Sequence, residues 1–224
     1  MKLVEYPDRD LMMMALADRI ASELAAALRV ADHATLAVPG GTTPGPVFDT
    51  LCAVDLVWQR VRVMLTDERW VPESSARSNT RLLRERLLVD KAAAATLVPL
   101  YADAPVPEDR LAELAEGVEA ALPISVLVLG MGADMHTASL FPGADRLPEA
   151  LSDSAPALMA MRAPGAPEPR VTLTAPVLRG ALHVHLVITG AEKRAALNQA
   201  EKLNDPLKAP VATILKDATV HWAE

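Results

Sequence analysis

The side chains best suited to chemistry follow an apolar run in the second half of the chain. Residues 124–129 predict a buried strand, and Gly130 and Gly132 end it just before Asp134 and His136. Open α/β sheets place their active sites beyond the carboxyl ends of strands. Histidine is the side chain best suited to take up a proton near neutral pH. The spacing predicts an acid–base pair, and the alternative is a structural histidine held in a loop.

A glycine-rich turn provides a second candidate site. Gly40, Gly41 and Thr42 follow the apolar residues 34–38 and precede Pro44, which favours the first turn of a helix. Glycines allow close backbone approach to a ligand, and a helix N-terminus offers free N–H groups. The turn is therefore a candidate phosphate cradle, although its spacing is that of neither a Walker loop nor a dinucleotide fingerprint. The alternative is a tight strand-to-helix turn.

Charged residues stand at three further predicted strand boundaries. Asp67 and Arg69 follow the predicted strand 61–65, Arg170 precedes 171–173, and Lys193 lies at a strand-to-helix junction. A guanidinium can bind an anion through two parallel hydrogen bonds, and a lysine can complete a phosphate pocket. A carboxylate at such a position can orient a hydroxyl or an imidazole. The alternative for each is a solvated surface charge.

The sequence gives little support for a metal or cofactor site. Cys52 is the only cysteine, which leaves no intrachain disulfide and no Cys-based zinc site. His183 and His185 have metal-like spacing on one face of a strand, but that strand is otherwise apolar. We therefore interpret them as core or edge residues and expect neither a metal nor a cofactor.

Composition restricts the class of protein. The 224 residues suit one α/β domain spanning 1–224, and the net charge of −7 argues against a nucleic-acid-binding surface. A local basic pocket for a small anion is still compatible with an acidic protein. No apolar run is long enough to cross a membrane, and the N-terminus lacks a signal-peptide pattern. We expect a cytoplasmic protein that binds neither nucleic acid nor membrane.

Hydrophobic periodicity predicts strands that alternate with helices. This order favours an α/β fold with a mostly parallel, doubly wound sheet and helices on both faces. Asp8 or Asp10 is the candidate cap of the first helix. The predicted helices are 8–30, 44–51, 78–88, 107–121 and 191–200, and the predicted strands are 34–38, 61–65, 96–100, 124–129, 158–161, 171–173, 181–188 and 220–222.

Five motifs in sequence order resemble the 6-phosphogluconolactonase family over nearly the whole chain. They are Gly-Gly-Thr-Thr-Pro from position 40, Thr-Asp-Glu-Arg-Trp-Val-Pro from 66, Gly-Met-Gly-Ala-Asp-Met-His-Thr-Ala-Ser-Leu-Phe-Pro-Gly from 130, Arg-Val-Thr-Leu-Thr from 170 and Ile-Thr-Gly-Ala-Glu-Lys from 188. The resemblance implies the three-layer α/β fold shared with glucosamine-6-phosphate deaminases. It implies hydrolysis of 6-phospho-D-glucono-1,5-lactone without a cofactor, by a monomer or small homo-oligomer.

The resemblance also implies roles for individual residues. His136 matches the family's general base, Asp134 would orient its imidazole, and Asp67 would hold sugar hydroxyls. The backbone N–H groups near Gly132 and Ala133 are candidate donors to the oxyanion. The positions expected to surround the phosphate or the sugar are Gly40, Gly41, Thr42, Arg69, Arg170 and Lys193.

Two positions bear on how closely the chain follows the family. Met135 stands where the family usually has glycine, so a positive φ there would strain the loop. Phe141 occupies the position where the related deaminases carry an acid, which favours a lactonase over a deaminase. A sugar-phosphate binder without catalytic activity is the third interpretation.

Overall fold

The computed structural model describes all residues from 1 to 224 and contains ten strands. Seven of them form one sheet in the order β1-β10-β9-β6-β2-β3-β5, in which every pair is parallel. The α/β fold with a mostly parallel sheet is therefore confirmed. The strands are β1 Lys2–Glu5, β2 Ala34–Val38, β3 Val61–Leu65, β4 Asp67–Arg69, β5 Thr96–Val98, β6 Val126–Gly130, β7 Leu158–Met161, β8 Arg170–Leu173, β9 His183–Thr189 and β10 Thr219–Ala223.

The strand order reverses between β2 and β6. From β2 the chain runs outward through β3 to β5, and it then returns to place β6 on the other side of β2. In open parallel sheets a ligand crevice forms beyond the carboxyl ends of the strands at such a reversal. The loop carrying Gly40 and Gly41 follows β2, and the loop carrying Asp134 and His136 follows β6. The topology thus brings two of the sequence motifs to one edge.

Eight α-helices connect and cover the strands. They are α1 Arg9–Val30, α2 Gly45–Leu51, α3 Asn79–Arg86, α4 Leu111–Ala120, α5 Leu147–Leu151, α6 Ala175–Arg179, α7 Gly190–Leu203 and α8 Ala212–Leu215. Asp8 caps α1, because its Oδ1 accepts from the Leu11 N–H at 2.8 Å. The predicted helix 107–121 is shorter in the structure, since a separate 3-10 turn at Pro107–Asp109 precedes α4. No helix has the length and apolarity that a membrane span requires.

A second, three-stranded sheet was not predicted from the sequence. Its order is β4-β8-β7, and both pairings are antiparallel. The sequence correctly indicated strands at 158–161 and near 171–173, but it did not indicate that residues 67–69 form a strand. In the register of this sheet, Arg69 lies directly opposite Arg170. The small sheet therefore places two arginines side by side.

One contiguous apolar core joins the sheet to its helices. Every residue of β2 is buried, as are all residues of β6 except its last glycine. Central strands of a parallel sheet are covered on both faces, which explains their mostly apolar sequences. The predicted strand 220–222 is confirmed as β10, and β1 pairs with it on its outer side. β1 itself was not predicted.

His185 belongs to a buried polar chain beneath α1. Its Nε2 lies 2.7 Å from the Glu23 carboxylate, and its Nδ1 lies 3.0 Å from His221 Nε2. The other nitrogen of His221 lies 2.9 Å from the Tyr6 hydroxyl. A carboxylate only accepts, so with one proton on each imidazole Tyr6 donates to His221, His221 to His185, and His185 to Glu23. The interpretation of His185 as a core residue is confirmed, whereas His183 is the exposed first residue of the interior strand β9 and lies neither in the core nor at an edge of the sheet.

Candidate active site

A cavity of about 300 Å³ lies at the reversal point of the sheet. It receives residues from the loops that follow β2, β3, β6 and β9, and from the small sheet. Three cationic side chains and a single carboxylate line it, although the chain as a whole carries a charge of −7. All predicted site residues except Asp134 line this cavity, namely Gly40, Gly41, Thr42, Asp67, Arg69, His136, Arg170 and Lys193.

His136 is oriented by Asp134 from outside the cavity. The Nδ1 atom of the ring lies 2.5 Å from Asp134 Oδ1, which also accepts from the His136 backbone N–H at 3.2 Å. The Nε2 atom makes no hydrogen bond within the protein and is free to act on a ligand. A Cβ on Gly132 would collide with both the imidazole and the carboxylate. Glycine at position 132 therefore permits the close approach of this pair.

The loop between β6 and His136 is closed by its own backbone. The Gly132 N–H donates to the His136 carbonyl at 3.1 Å, and the Met135 N–H donates to the Gly132 carbonyl at 3.0 Å. The Gly132 N–H is therefore already used within the loop, which contradicts its expected role as a donor to an oxyanion, and the Ala133 N–H stays a prediction. Met135 has a φ of 66°, so a methionine occupies a left-handed position that favours glycine.

Arg69 and Arg170 face each other across the small sheet. Residues directly opposite on antiparallel strands project to the same side, and like charges there repel. The Nε atoms of both arginines are buried without a hydrogen-bond partner. Burial lowers the pKa of the Arg170 guanidinium below its usual value; Asp67 opposes this effect and Arg69 adds to it. Such a pair of buried donors is suited to an anionic group.

Asp67 is the carboxylate that partly balances these charges. Its Oδ2 accepts from the buried Ser139 hydroxyl at 2.6 Å and lies 3.8 Å from Arg170 Nη1. Its Oδ1 accepts from the Thr66 hydroxyl at 3.2 Å. Because Ser139 belongs to the loop that carries His136, this contact ties the small sheet to that loop.

Glu68, next to Asp67, has a structural role that the sequence did not reveal. It is fully buried, and its two oxygens accept from the backbone N–H groups of Arg69, Asn79 and Thr80 and from two hydroxyls. These contacts anchor the N-terminus of α3 beneath the cavity. Asn79 itself lines the cavity and donates from Nδ2 to the Asp67 carbonyl at 3.1 Å.

The turn after β2 completes one wall of the cavity. Gly41 has a φ of 85°, which glycine adopts at no steric cost, and its neighbour Thr42 is exposed. A Cβ on Gly40 would collide with the Asn79 side chain. This glycine therefore lets the turn approach α3 closely.

Phe141 is a cavity residue whose position was not predicted. Its ring stacks on the imidazole of His136 with a centroid separation of 4.2 Å and an interplanar angle of 27°. The Arg170 guanidinium carbon lies 5.7 Å from the centroid of the same ring. The only sequence signal was the spacing of five residues from His136, which does not reveal a stack in a folded loop.

No group of three or more His, Cys, Asp or Glu side chains in the structure is arranged to hold a metal.

Comparison with known proteins assigns the chain to a family. The family described as glucosamine-6-phosphate isomerases/6-phosphogluconolactonase matches residues 7–222. The chain is similar to the 6-phosphogluconolactonase of Rhizobium meliloti, with 44% identity over 216 residues and 93% of each chain covered. It is similar in structure to a 6-phosphogluconolactonase from Shewanella baltica, with a TM-score of 0.96, 32% identity and coverage of 100% and 97% of the two chains.

A more distant structure shares the fold alone. It is a monomeric glucosamine-6-phosphate deaminase with a TM-score of 0.81 and 16% identity, covering 100% of this chain and 98% of that chain. The expectation that the two enzyme groups share one fold is confirmed. Since the family match spans almost the whole sequence, this chain belongs to the glucosamine-6-phosphate isomerase/6-phosphogluconolactonase family.

Proposed function

We propose that this protein is a 6-phosphogluconolactonase, an enzyme that hydrolyses 6-phospho-D-glucono-1,5-lactone to 6-phospho-D-gluconate in the oxidative pentose phosphate pathway. The names and coverage of its relatives support this activity, because the similarity extends over 93% of the chain. The substrate carries a phosphate and an ester carbonyl, so the site needs an anion-binding region and a group that activates water.

The observation that carries the proposal is the pair of facing arginines, whose Nε atoms are buried, beside an unbonded imidazole nitrogen. Arg69 and Arg170 each have an Nε–H without a partner, and Lys193 lines the same cavity. A guanidinium fits phosphate geometry with two parallel hydrogen bonds, and an ammonium adds a flexible charge. These three side chains would hold the phosphate, with the Gly40–Gly41–Thr42 turn forming the adjacent wall. The lactone would then extend toward His136.

His136 acts as the general base in this proposal. Its Nε2 takes a proton from a water molecule while the water oxygen bonds to the lactone carbonyl carbon. The resulting tetrahedral intermediate collapses with cleavage of the bond between that carbon and the ring oxygen. The protonated imidazole returns its proton to the departing ring oxygen, which becomes a hydroxyl group. Asp134 keeps Nδ1 protonated and the ring oriented, as its 2.5 Å contact supports.

Asp67 would hold sugar hydroxyls rather than transfer a proton. Its carboxylate already accepts from two hydroxyls of the protein and lies beside Arg170. A carboxylate engaged in this way can still accept from a ligand hydroxyl through its remaining lone pairs. Its second effect would be to fix the position of Arg170.

The experiment compares substrates. Freshly generated 6-phosphogluconolactone is supplied to the protein, and proton release is measured above the spontaneous rate. Hydrolysis of the phosphorylated lactone should far exceed that of unphosphorylated gluconolactone at equal concentration, because the arginines and Lys193 have no partner on the latter. A rate equal to background, with 6-phosphogluconate still bound, would indicate a sugar-phosphate binder. Turnover of glucosamine 6-phosphate instead would indicate a deaminase.

A further inference from the structure

We infer that Phe141 is a positioning residue that sets the plane of the His136 imidazole, an inference that rests on the proposed role of His136 as the base. The two rings stack nearly in parallel at 4.2 Å, and the cavity lies beside them. Phe141 is apolar and offers no proton, so any effect on catalysis must act through its neighbours.

The hydrogen bond to Asp134 alone cannot fix the imidazole. It holds the Nδ1 edge, but small coupled rotations about χ1 and χ2 can still tilt the ring while Nδ1 stays close to Oδ1 of Asp134. The Asp134 side chain is also half exposed, at 52%, so it is itself weakly restrained. A flat ring against one face of the imidazole blocks this rotation. The two contacts are thus complementary: Asp134 fixes an edge and Phe141 fixes the plane.

Phe141 can perform this role because it is held firmly in turn. It packs against the apolar core, and the preceding Leu140 is fully buried. Its ring also lies near the Arg170 guanidinium, which is nearly buried within β8. One aromatic ring therefore contacts both the base and an arginine of the anion site.

The effect on kinetics should fall on kcat rather than on KM. Rotation of the imidazole misdirects Nε2 from the attacking water, and a small misplacement of a catalytic group can cost up to about 100-fold in rate. Arg170 keeps its place in β8 and its contact with Asp67 when the ring is lost. Substrate binding should therefore change little.

The test uses Phe141→Leu, which removes the ring but keeps an apolar side chain. We expect kcat to fall about 10- to 100-fold with KM within about threefold of the unmodified protein. Phe141→Tyr keeps the ring and should restore most of the rate. Tyr101→Leu is the matched control, because it removes a ring that packs on Trp70 and does not line the cavity. Its kcat should be unchanged.

A spectroscopic measurement reports the stack directly. An aromatic ring at this separation shifts the ring-proton resonances of His136 upfield, and His136→Ala identifies those resonances among the five histidines. The shift should disappear in Phe141→Leu and persist in Phe141→Tyr. If Phe141→Leu does not fold, Phe141→Met supplies a second ring-free side chain of flexible shape.

Three results would overturn the inference: an unchanged kcat in the ring-free variant, a rise in KM alone, or an equal loss in Tyr101→Leu. Failure of the proposed function would look different. In that case His136→Ala would retain turnover, or the unmodified protein would not hydrolyse the lactone at all. If His136→Ala is inactive while Phe141→Leu is fully active, only the positioning role of Phe141 is wrong.

Discussion

The Nδ1 atom of His136 lies 2.5 Å from Oδ1 of Asp134 across a loop of only one intervening residue. Because a carboxylate only accepts, we assign the proton to Nδ1, which leaves Nε2 as the acceptor. The short loop reaches this geometry only with Met135 in a left-handed conformation at a φ of 66°. The orientation of the proposed base therefore depends on a backbone position that is unfavourable for methionine.

Substitutions at Met135 should reveal this strain. Met135→Ala and Met135→Gly both remove the part of the side chain beyond Cβ that packs against the core, but only glycine adopts a positive φ freely. The left-handed conformation costs an L-residue about 1–2 kcal/mol, and substitution by glycine removes this strain. Part of the gain in stability is offset because glycine has more conformational freedom in the unfolded chain. We expect the glycine variant to have a free energy of unfolding about 1 kcal/mol above that of the alanine variant, measured by urea denaturation. Equal or reversed stabilities would show that the loop is unstrained.

Lys193 should contribute to binding rather than to the chemical step. It lies in the first turn of α7 and lines the cavity without an acidic partner. Removing one charge–phosphate contact should raise KM about 10-fold and leave kcat within about twofold in Lys193→Ala. Lys202→Ala removes an exposed lysine from the same helix and is the matched control. A fall in kcat at constant KM would argue against a phosphate contact.

The Glu68 carboxylate should stabilise the N-terminus of α3 beneath the cavity by accepting hydrogen bonds. Its oxygens receive five hydrogen bonds, including the backbone N–H groups of Asn79 and Thr80 at 2.8 and 2.6 Å. In Glu68→Gln the amide NH₂ must face some of these donors whichever way it points. We expect a loss of about 2–4 kcal/mol in the free energy of unfolding, measured by chemical denaturation.

The control for Glu68 is an exposed glutamate. Glu73 pairs with Arg84 at 2.6 Å, but both side chains are about half exposed. Surface ion pairs contribute little, so Glu73→Gln should change stability by less than about 1 kcal/mol. Similar losses at the two positions would contradict the assignment of Glu68 as a buried anchor.

Acidification should destabilise the hydrogen-bonded chain that Tyr6, His221, His185 and Glu23 form beneath α1. Burial lowers the pKa of His221 from 6.5 to about 4, and the nearby charges of His185 and Arg19 add to this. The unfolded chain therefore binds more protons than the folded protein between these pH values. The contribution of His221 to the free energy of unfolding is retained above pH 6.5. It falls by about 3 kcal/mol as the pH is lowered toward 4.

The pKa of Glu23 changes stability in the same direction. Burial would raise it, but the hydrogen bond from His185 and the charges of His185, His183 and Arg19 together outweigh burial and lower it overall, so this contribution is lost as the pH falls below about 4.5. Urea unfolding at pH 7 and pH 4.5 should give a smaller difference for His221→Gln than for the unmodified protein. His33→Gln, at an exposed position, should behave like the unmodified protein. The same pH dependence in all three proteins would rule out His221 as the source.

Local sequence signals were sufficient to predict six of the seven strands of the main sheet and most of the cavity. Strands such as β2 and β6 are mostly apolar runs with glycines at or just after their ends, and parallel strands bring their carboxyl ends together. The polar and charged side chains that follow each strand could therefore be expected to lie close together. Gly41, Asp67, His136 and Lys193 do so in one cavity.

Features that depend on distant pairing were not predictable in this way. β4 has only three residues and exists because β8, about a hundred residues later, pairs with it. β1 is similarly short and depends on β10. The stack of Phe141 on His136 and the facing arginines arise from side-chain directions that only the folded loop and sheet define. The spacing of apolar residues along the sequence does not indicate such contacts.

The most direct test of the account is the rate of 6-phosphogluconolactone hydrolysis by the unmodified protein and by His136→Ala, each corrected for the spontaneous reaction. We predict that kcat of the variant falls at least about 100-fold, while its affinity for 6-phosphogluconate, measured by calorimetry, stays within about threefold. Such a result would support His136 as the base and show that the loop containing Met135 is functional. A variant that keeps its turnover but loses product binding would contradict the role proposed for His136.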